Sequence, residues 1–189
     1  MADKLITAPT VEPLTLAEAK EHLQYTASDQ DNYITGLISF ARESCEGITK
    51  RCMISQTRES AMDYFPDTII LRPNVTSIVG VYYYDVTGIQ RTLDPQDYLL
   101  DNAPGSSAHW CLPMPNKTFP DTQSGRANAV TVRYQSGYLN ASDVPRTVKQ
   151  WMLLQIGNLF ANRESVVTGT IVGEIAVNSL LDPYRVYEA

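Results

Sequence analysis

The sequence predicts an α+β fold: a helical core, with two N-terminal helices, one long C-terminal helix and one short last helix, and an inserted antiparallel β subdomain. Two observations predict it. Apolar residues recur at helical spacing near both ends of the chain, and β-branched and aromatic residues dominate the stretch between them. The 189 residues suffice for one domain with an inserted subdomain. We expect residues 1–52 and 143–189 to form the core and residues 53–142 to form the β-rich subdomain.

The first helix is marked by a capping box. The residues before it are expected to be extended, because Pro9 and Pro13 disfavour helix at the residues that precede them. Thr15 and Glu18 can each satisfy one orphan backbone N–H at the helix start. A short helix should follow, through about Gln24.

The second helix is predicted over residues 30–50, with Ser28 or Asp29 as its cap. Its apolar face consists of Ile34, Leu37, Ile38, Ala41, Cys45 and Ile48. Arg42 and Glu46 lie off that face, four residues apart, where they can form an ion pair. A solvated helix face is the favoured interpretation of these charges.

Strand signals dominate the middle of the chain. The expected strands are residues 56–65, 68–71, 75–85, 89–93, 98–100, 109–112 and 129–134. The stretch Asp85–Gly88 predicts a hairpin turn between two of them. Residues 102–128 are rich in Pro, Gly, Ser and Asn, so we expect a long irregular loop of the kind that is often functional or mobile.

The stretch Ser142–Ser165 predicts the long C-terminal helix. Ser142 or Asp143 can cap this helix, and Pro145 fits its first turn. Its buried face consists of Val148, Met152, Ile156, Leu159 and Phe160, with Leu153 at the edge. Trp151 and Leu154 lie on another side, which implies a second set of contacts. These contacts come either from another element of the same chain or from a neighbouring subunit.

The pattern weakens after this helix. Residues 166–173 contain two glycines and predict either a hairpin or a flexible segment. A short last helix is predicted from Ile175, Val177, Leu180 and Leu181. Pro183 should end it, and an exposed tail should follow.

Composition restricts the possible functions. The net charge is −6 and the 15 basic residues are scattered, whereas non-specific nucleic-acid binding needs clustered Lys and Arg, so a DNA-reading role is disfavoured. The sequence has no apolar run long enough to span a bilayer and no apolar signal core near residue 1, so we expect neither membrane insertion nor secretion. Cys45, Cys52 and Cys111 lack zinc-ligand spacing and are expected to be small buried residues in a reducing compartment.

No catalytic residue, cofactor-binding residue or metal ligand is predicted. The motifs of serine hydrolases, zinc proteases and nucleotide-binding proteins do not occur. His22 and His109 have no nucleophile motif around them. Turn chemistry is the favoured explanation for the crowded Asp94, Asp97 and Asp101. The run Tyr82–Tyr84 could stack on bases or sugars, but strand packing is favoured because no basic residues neighbour it in the sequence.

Four features occur in a fixed order along the chain. They are the opening Leu14–Leu23, the stretch Asp31–Arg51, the Val144-Pro145 step into a helix that ends Asn162-Arg163-Glu164, and the ending Leu180–Arg185. Together they resemble the head–tail connector proteins of long-tailed bacteriophages, also called head-completion or adaptor proteins. The resemblance covers both helical ends, whereas the β-rich middle matches only in character.

This resemblance implies a structural virion protein without cofactor or catalysis. Such proteins form a ring, usually twelvefold, beneath the portal of the filled capsid, extend the DNA channel and offer a platform for the tail. The implied partners are further copies of the chain, the portal protein, and a tail terminator or the next tail-side connector protein. Genomic DNA would pass through the lumen without sequence-specific binding, and no membrane is implied. The implied location is the virion, at the head–tail interface, after synthesis in the host cytoplasm.

Two sets of candidate contact residues accompany the resemblance. The candidates for subunit contacts are Trp151, Leu154, Asn158, Val167 and Ile171. The candidates for portal contacts are Leu180, Leu181, Asp182, Pro183, Tyr184, Arg185 and Tyr187. A C-terminus folded back on its own core is an equal alternative for the second set. Residues 166–173 are expected to become ordered only against a neighbour or the portal.

Other functions remain open at this point. A tail terminator or tail-completion protein would also form a ring, although a more β-dominated chain is then expected. A small hydrolase or carbohydrate-binding module that uses Tyr82–Tyr84 and His109 is the alternative from a different class.

Overall fold

The computed structural model describes residues 2–103, 108–162 and 177–186. Its helices and antiparallel sheets confirm the predicted α+β fold. The chain divides into two compact units. The β unit comprises Met1–Pro9 and Ser55–Gly137, and the helical unit comprises Thr10–Ile54 and Tyr138–Ala189. Within the described ranges, no helix has the length and apolar character needed to cross a membrane.

The helical unit is built from α1 (Leu16–Leu23), α2 (Asp31–Thr49), α3 (Arg146–Ala161) and two short 3₁₀ helices, Ala141–Asp143 and Ser179–Tyr184. Its core includes Leu14, Ile34, Ile38, Ala41, Cys45, Val148, Met152, Ile156 and Leu181. The predicted apolar faces of α2 and α3 therefore supply most of this core. Burying such side chains stabilises the unit by about 1.5–3 kcal/mol for each large apolar residue.

The N-cap predicted from the sequence is found at one of the three α-helices and differs from the observed N-cap at the other two. The Oγ1 of Thr15 accepts the N–H of Glu18 at 3.1 Å, and the Glu18 carboxylate accepts the N–H of Thr15 at 2.7 Å, so the capping box is confirmed. The predicted caps of the other two helices are wrong. The N-cap of α2 is Gln30 and that of α3 is Pro145, and neither has a side-chain cap hydrogen bond.

Proline explains the difference at α3. Val144 has φ −67° and ψ 128°, because the ring of the following proline disfavours helical backbone at that residue. The helix therefore begins only after Pro145. Asp143 is instead the last residue of the preceding 3₁₀ helix, and its carboxylate accepts the N–H of the N-cap residue Asn140 at 3.3 Å.

The β unit contains two antiparallel sheets. The five-stranded sheet has the order β1-β2-β8-β4-β5, from β1 (Ala2–Thr7), β2 (Gln56–Met62), β8 (Val130–Ser136), β4 (Val75–Tyr84) and β5 (Gln90–Thr92). The three-stranded sheet has the order β3-β7-β6, from β3 (Ile69–Leu71), β7 (His109–Pro113) and β6 (Tyr98–Asp101). Alternate residues of β8 are buried, as the period of a strand requires. The core of the unit includes Ile69, Leu71, Val75, Val81, Cys111, Val132 and Tyr134.

The first residues of the chain belong to the β unit, which differs from their predicted place in the helical core. Strand β1 pairs with β2, with Asp3 opposite Ser60. The Asp3 carboxylate also accepts hydrogen bonds from the Arg58 guanidinium at 2.9 Å and from the Tyr134 hydroxyl at 2.9 Å. Backbone pairing and a shared ion-pair network therefore attach the extended segment to the sheet.

The last helix also differs from its prediction. Pro183 lies inside the 3₁₀ helix Ser179–Tyr184 and does not end it. The proline ring fixes φ near −65°, which is a normal value for 3₁₀ helix. Residues 166–173, for which a hairpin or a flexible segment was expected, lie outside the described residues.

Candidate interaction surfaces

The described part of the C-terminal segment packs on the helical unit. The side chain of Leu181 is 0% exposed in the core of that unit. The Arg51 Nε donates to the Tyr184 carbonyl at 2.7 Å, and the Val186 N–H donates to the Thr49 carbonyl at 3.1 Å. Residues 177–186 thus adopt the folded-back alternative. Leu181 is not available as a portal contact in this conformation, because it is buried by its own chain.

The other candidates of this segment have different surroundings. Leu180 and Tyr184 are partly buried against the same core. Asp182 and Pro183 are exposed, and the Arg185 Nε lies 3.1 Å from an Asp182 carboxylate oxygen. Tyr187 lies outside the described residues. The accessible part of the candidate portal contact is therefore centred on Asp182 and Pro183.

Trp151, which lies outside the predicted buried face of α3, is covered by another segment of the same chain. This side chain is 2% exposed, and its Nε1–H donates to Asn178 Oδ1 at 3.1 Å. Trp151 is therefore buried by its own chain, and the subunit contact expected of it stays a prediction. Leu154 is partly exposed and Asn158 is exposed on the neighbouring part of the helix. Val167 and Ile171, the remaining interface candidates, lie outside the described residues.

Arg42 and Glu46 of α2 do not lie on a solvated helix face, which differs from the favoured interpretation of these charges. The Arg42 side chain is 7% exposed, and its Nε lies 2.8 Å from a carboxylate oxygen of Glu12. Glu46 accepts the Met53 N–H at 2.8 Å and lies 3.3 Å from the Arg42 guanidinium. Burial opposes the charge on Arg42, but the hydrogen bond and charge of Glu12, together with the charge of Glu46, raise its pKa. This network ties the segments before and after the two helices to α2.

His109, which was considered for the hydrolase alternative, serves the fold. His109 is 6% exposed, and its Nδ1 accepts the backbone N–H of Val75 at 3.0 Å, which joins β7 to the start of β4. Among the residues that the structure describes, no group of three or more His, Cys, Asp or Glu side chains could hold a metal ion. Asp94 accepts the Gln96 N–H at 2.8 Å, as the turn interpretation expects.

The tyrosines of β4 divide between two faces of the sheet. Tyr83 packs against Phe65 with ring centroids 5.5 Å apart, beside the β-unit core. Tyr82 lies opposite Thr131 on the other face, where the Arg133 guanidinium is 5.8 Å from its ring centroid. Tyr84 follows it on that face.

Two arginines lie close to Tyr82 and Tyr84 in space, although no basic residue neighbours these tyrosines in the sequence. The Arg126 guanidinium lies 3.4 Å from the Tyr84 ring centroid. The guanidinium of Arg133 also pairs with Glu59 through contacts of 2.7 and 3.1 Å. Tyr82, Tyr84, Arg126, Arg133 and Glu59 form what we call the tyrosine–arginine face. The arginines come from a loop and a strand far along the chain, so no local sequence pattern could have indicated this arrangement.

The tyrosine–arginine face borders an open hollow of about 670 Å³. Its lining consists of Glu59, Tyr82, Tyr84, Gln90, Arg91, Thr92, Arg126, Ala127, Asn128, Thr131 and Arg133. Three arginines and one glutamate are the charged members of this lining. The lining of the hollow therefore has more basic than acidic side chains, on a chain with a net charge of −6.

No model of a protein family matches the sequence, and no curated protein matches it. Solved structures do match its fold. One chain in a structure described as the neck of an empty gene transfer agent particle, computed with C6 symmetry, has a TM-score of 0.81 at 18% identity. The match covers 100% of this chain and 97% of that one.

Chains in two further structures also match this fold, and each match covers 100% of this chain and 97% of the other chain. One is described as the virion of the native gene transfer agent particle, with a TM-score of 0.81 and 18% identity. The other is described as the neck of the native particle computed with C12 symmetry, with a TM-score of 0.74 and 19% identity. The chain thus has, along its full length, the fold of a protein found in the neck of such particles.

Proposed function

We propose that this chain is a structural virion protein, a head–tail connector or adaptor subunit. In this role it forms a ring under the portal, extends the DNA channel and provides the platform to which the tail attaches. The observation that carries the proposal is the fold likeness, which spans 100% of this chain and relates it to particle necks computed with C6 and C12 symmetry. The sequence resemblance to connector proteins is independent support from both helical ends. The protein would act at the head–tail interface of a virion, without catalysis.

The ring requires two different surface patches on each subunit, because head-to-tail contacts are heterologous. We propose that Leu154 and Asn158 on α3 belong to one patch. Asp182 and Pro183 are the proposed portal contacts, because they are the exposed candidates in the described C-terminal segment. We further propose that residues 53–142 are a β-rich insertion between the two helical ends of the chain, to which the first residues of the chain add one strand.

The net charge of −6 suits a channel through which DNA slides, since like charge discourages adhesion. Replacing lumen-facing acids by lysine in the assembled particle should therefore slow DNA ejection. Unchanged ejection kinetics would remove this part of the proposal.

Negative-stain imaging of the purified chain, alone at high concentration and mixed with its portal protein, tests the connector role. Rings, or a collar added to the portal, are the expected result. A ring that binds an isolated tail tube and leaves the portal bare would instead indicate the tail-terminator alternative. A chain that forms no ring and adds nothing to the portal would contradict both ring functions.

A further inference from the structure

We propose that the tyrosine–arginine face binds a carboxylate-bearing, extended polypeptide segment of a partner protein, with Arg126 as the anchor. The proposal goes beyond the connector role and does not depend on ring formation.

Arg126 differs from the other two arginines of the hollow in its partners. Arg133 pairs with Glu59 at 2.7 Å, and Arg91 pairs with Asp85 at 2.9 Å. Among the described residues, the contacts of the Arg126 guanidinium are instead the Gln123 amide oxygen at 3.4 Å and the ring of Tyr84. Neither the amide nor the ring carries a formal negative charge, so no carboxylate among the described residues neutralises this guanidinium. A guanidinium in this state presents parallel N–H donors that match a carboxylate.

The site is held in place before any ligand arrives. The loop that carries Arg126 is tied to β4 by the Gln123 N–H, which donates to the Tyr84 carbonyl at 3.0 Å. It is tied to the end of β2 by the Asn128 N–H, which donates to the Asp63 carboxylate at 2.8 Å. Stacking on Tyr84 restricts the guanidinium itself. A pre-positioned donor loses less conformational entropy on binding, which favours affinity.

The remaining lining suits a polypeptide. Gln90, Thr92, Asn128 and Thr131 offer side-chain donors and acceptors for peptide groups, and Tyr82 and Tyr84 offer large surfaces of low conformational entropy. Tyrosine and arginine are also the residues that most often dominate binding energy at protein interfaces.

The same lining disfavours a nucleic acid. Glu59 lies within the hollow, where it would repel a continuous phosphodiester backbone. Tight nucleic-acid binding requires several unpaired basic residues in a row, whereas two of these three arginines are already paired with carboxylates. An extended peptide with separated carboxylates can place one of them on Arg126 and avoid Glu59.

Fluorescence anisotropy with the full-length chain tests the proposal. The probe is a labelled, end-blocked peptide Ser-Glu-Ser-Asp-Ser-Glu-Ser, and the matched probe has Gln and Asn in place of the acids. We expect the acidic probe to bind with a Kd of about 1 mM or lower, the amide probe to bind at least about tenfold more weakly, and rising salt to weaken the acidic probe.

Two variants locate the binding. Arg126→Gln should weaken the acidic probe by about tenfold, because the charge-assisted bidentate contact is lost. Arg146→Gln removes one exposed positive charge from the helical unit and should leave the affinity unchanged. Circular dichroism on both variants verifies that they are folded.

Three results would overturn the proposal. They are equal binding of the acidic and amide probes, equal loss of affinity in the Arg126 and Arg146 variants, and tighter binding of a labelled oligothymidylate than of the acidic peptide. Because these measurements use the isolated chain and no portal, their failure is distinguishable from a failure of the connector proposal.

Discussion

At the scale of single residues, Asp3 shows how one carboxylate can position the end of a chain. One of its oxygens accepts from Tyr134 at 2.9 Å, and the other is shared by Arg58 and Arg72. Burial by itself would raise the pKa of Asp3, but the hydrogen bond from Arg58 and the charges of Arg72 and Arg58 hold it below its ordinary value. The ionised form is therefore the one that stabilises the folded β unit.

Replacing Asp3 by Asn should lower the free energy of unfolding by about 1–3 kcal/mol, because two arginines lose a charged acceptor. Chemical denaturation at neutral pH measures this change. Asp67→Asn, at an exposed loop position of the same unit, is the matched control and should change stability by less than about 0.5 kcal/mol. Equal effects of the two substitutions would contradict the role given to Asp3.

The stability difference between the wild-type chain and Asp3→Asn should also depend on pH. A carboxylate whose pKa is lowered on folding contributes stability above its unfolded pKa and loses it as the pH falls through the folded value. The difference should therefore be full above about pH 5 and shrink progressively below about pH 4. Denaturation midpoints at a series of pH values check this, and a difference that grows towards low pH would contradict it.

At the scale of the elements, α2 is held by its buried charges as well as by its apolar face. Arg42 lies between Glu12, before α1, and Glu46, which in turn accepts the N–H of Met53 beyond the end of α2. Removing one partner of such a network leaves the others desolvated without compensation. The network therefore fixes the chain segments that enter and leave this pair of helices.

Substituting Glu46 by Gln should lower the free energy of unfolding by about 2–3 kcal/mol, since Arg42 is left with less compensation for its burial. Glu43→Gln is the matched control on the same helix, because the Glu43 side chain is 68% exposed. Its salt bridge is worth at most about 1 kcal/mol. Urea denaturation compares the two, and a larger effect at Glu43 would show that the network does not stabilise the unit.

The C-terminal segment contributes the fully buried Leu181 to the core of the helical unit. Replacing it by Ala should cost about 2–4 kcal/mol, because a fully buried leucine leaves a cavity. The amides of residues 177–186 should also exchange with deuterium faster than in the wild-type chain. Hydrogen-exchange mass spectrometry measures this. Asp182→Ala, at an exposed position of the same segment, is the control and should leave the exchange unchanged. The proposed portal contact predicts that this variant binds the portal more weakly.

At the scale of the whole molecule, the residues that the structure describes form two hydrophobic cores, and each holds a buried thiol. Cys45 lies in the core of the helical unit and Cys111 in that of the β unit, both with 0% exposure. Burial raises the pKa of each of these two thiols to about 12, so almost no reactive thiolate exists at either position in the folded chain. The two cysteines therefore report the opening of the two units separately.

Pulsed iodoacetamide labelling across a urea series, followed by peptide mapping, should reveal separate responses of the units. Asp3→Asn should lower the urea midpoint for labelling of Cys111 more than that of Cys45, because Asp3 stabilises the β unit. Glu46→Gln should lower the urea midpoint for labelling of Cys45 more than that of Cys111, because Glu46 stabilises the helical unit. Equal shifts of both midpoints in both variants would show that the two units unfold as one cooperative body.

The sequence by itself determined the features that depend on neighbouring residues. The α+β class, the range of α2, the capping box at Thr15 and the hairpin turn at Asp85–Gly88 were all predicted correctly. Each depends on backbone conformation or on side chains within a few positions of one another, and these effects are present in any local stretch of sequence.

Only the tertiary structure decided which polar and aromatic side chains are buried and which meet at a surface. The Trp151 side chain is buried and donates a hydrogen bond to Asn178, and the Arg42 side chain is buried beside its ion-pair partner Glu12. The tyrosine–arginine face needed Arg126 to be brought against Tyr84. The two residues of each pair are far apart along the chain. The interaction free energy of each pair depends on how much solvent is excluded when distant elements pack together. The local periodicity of a sequence carries no information about that packing.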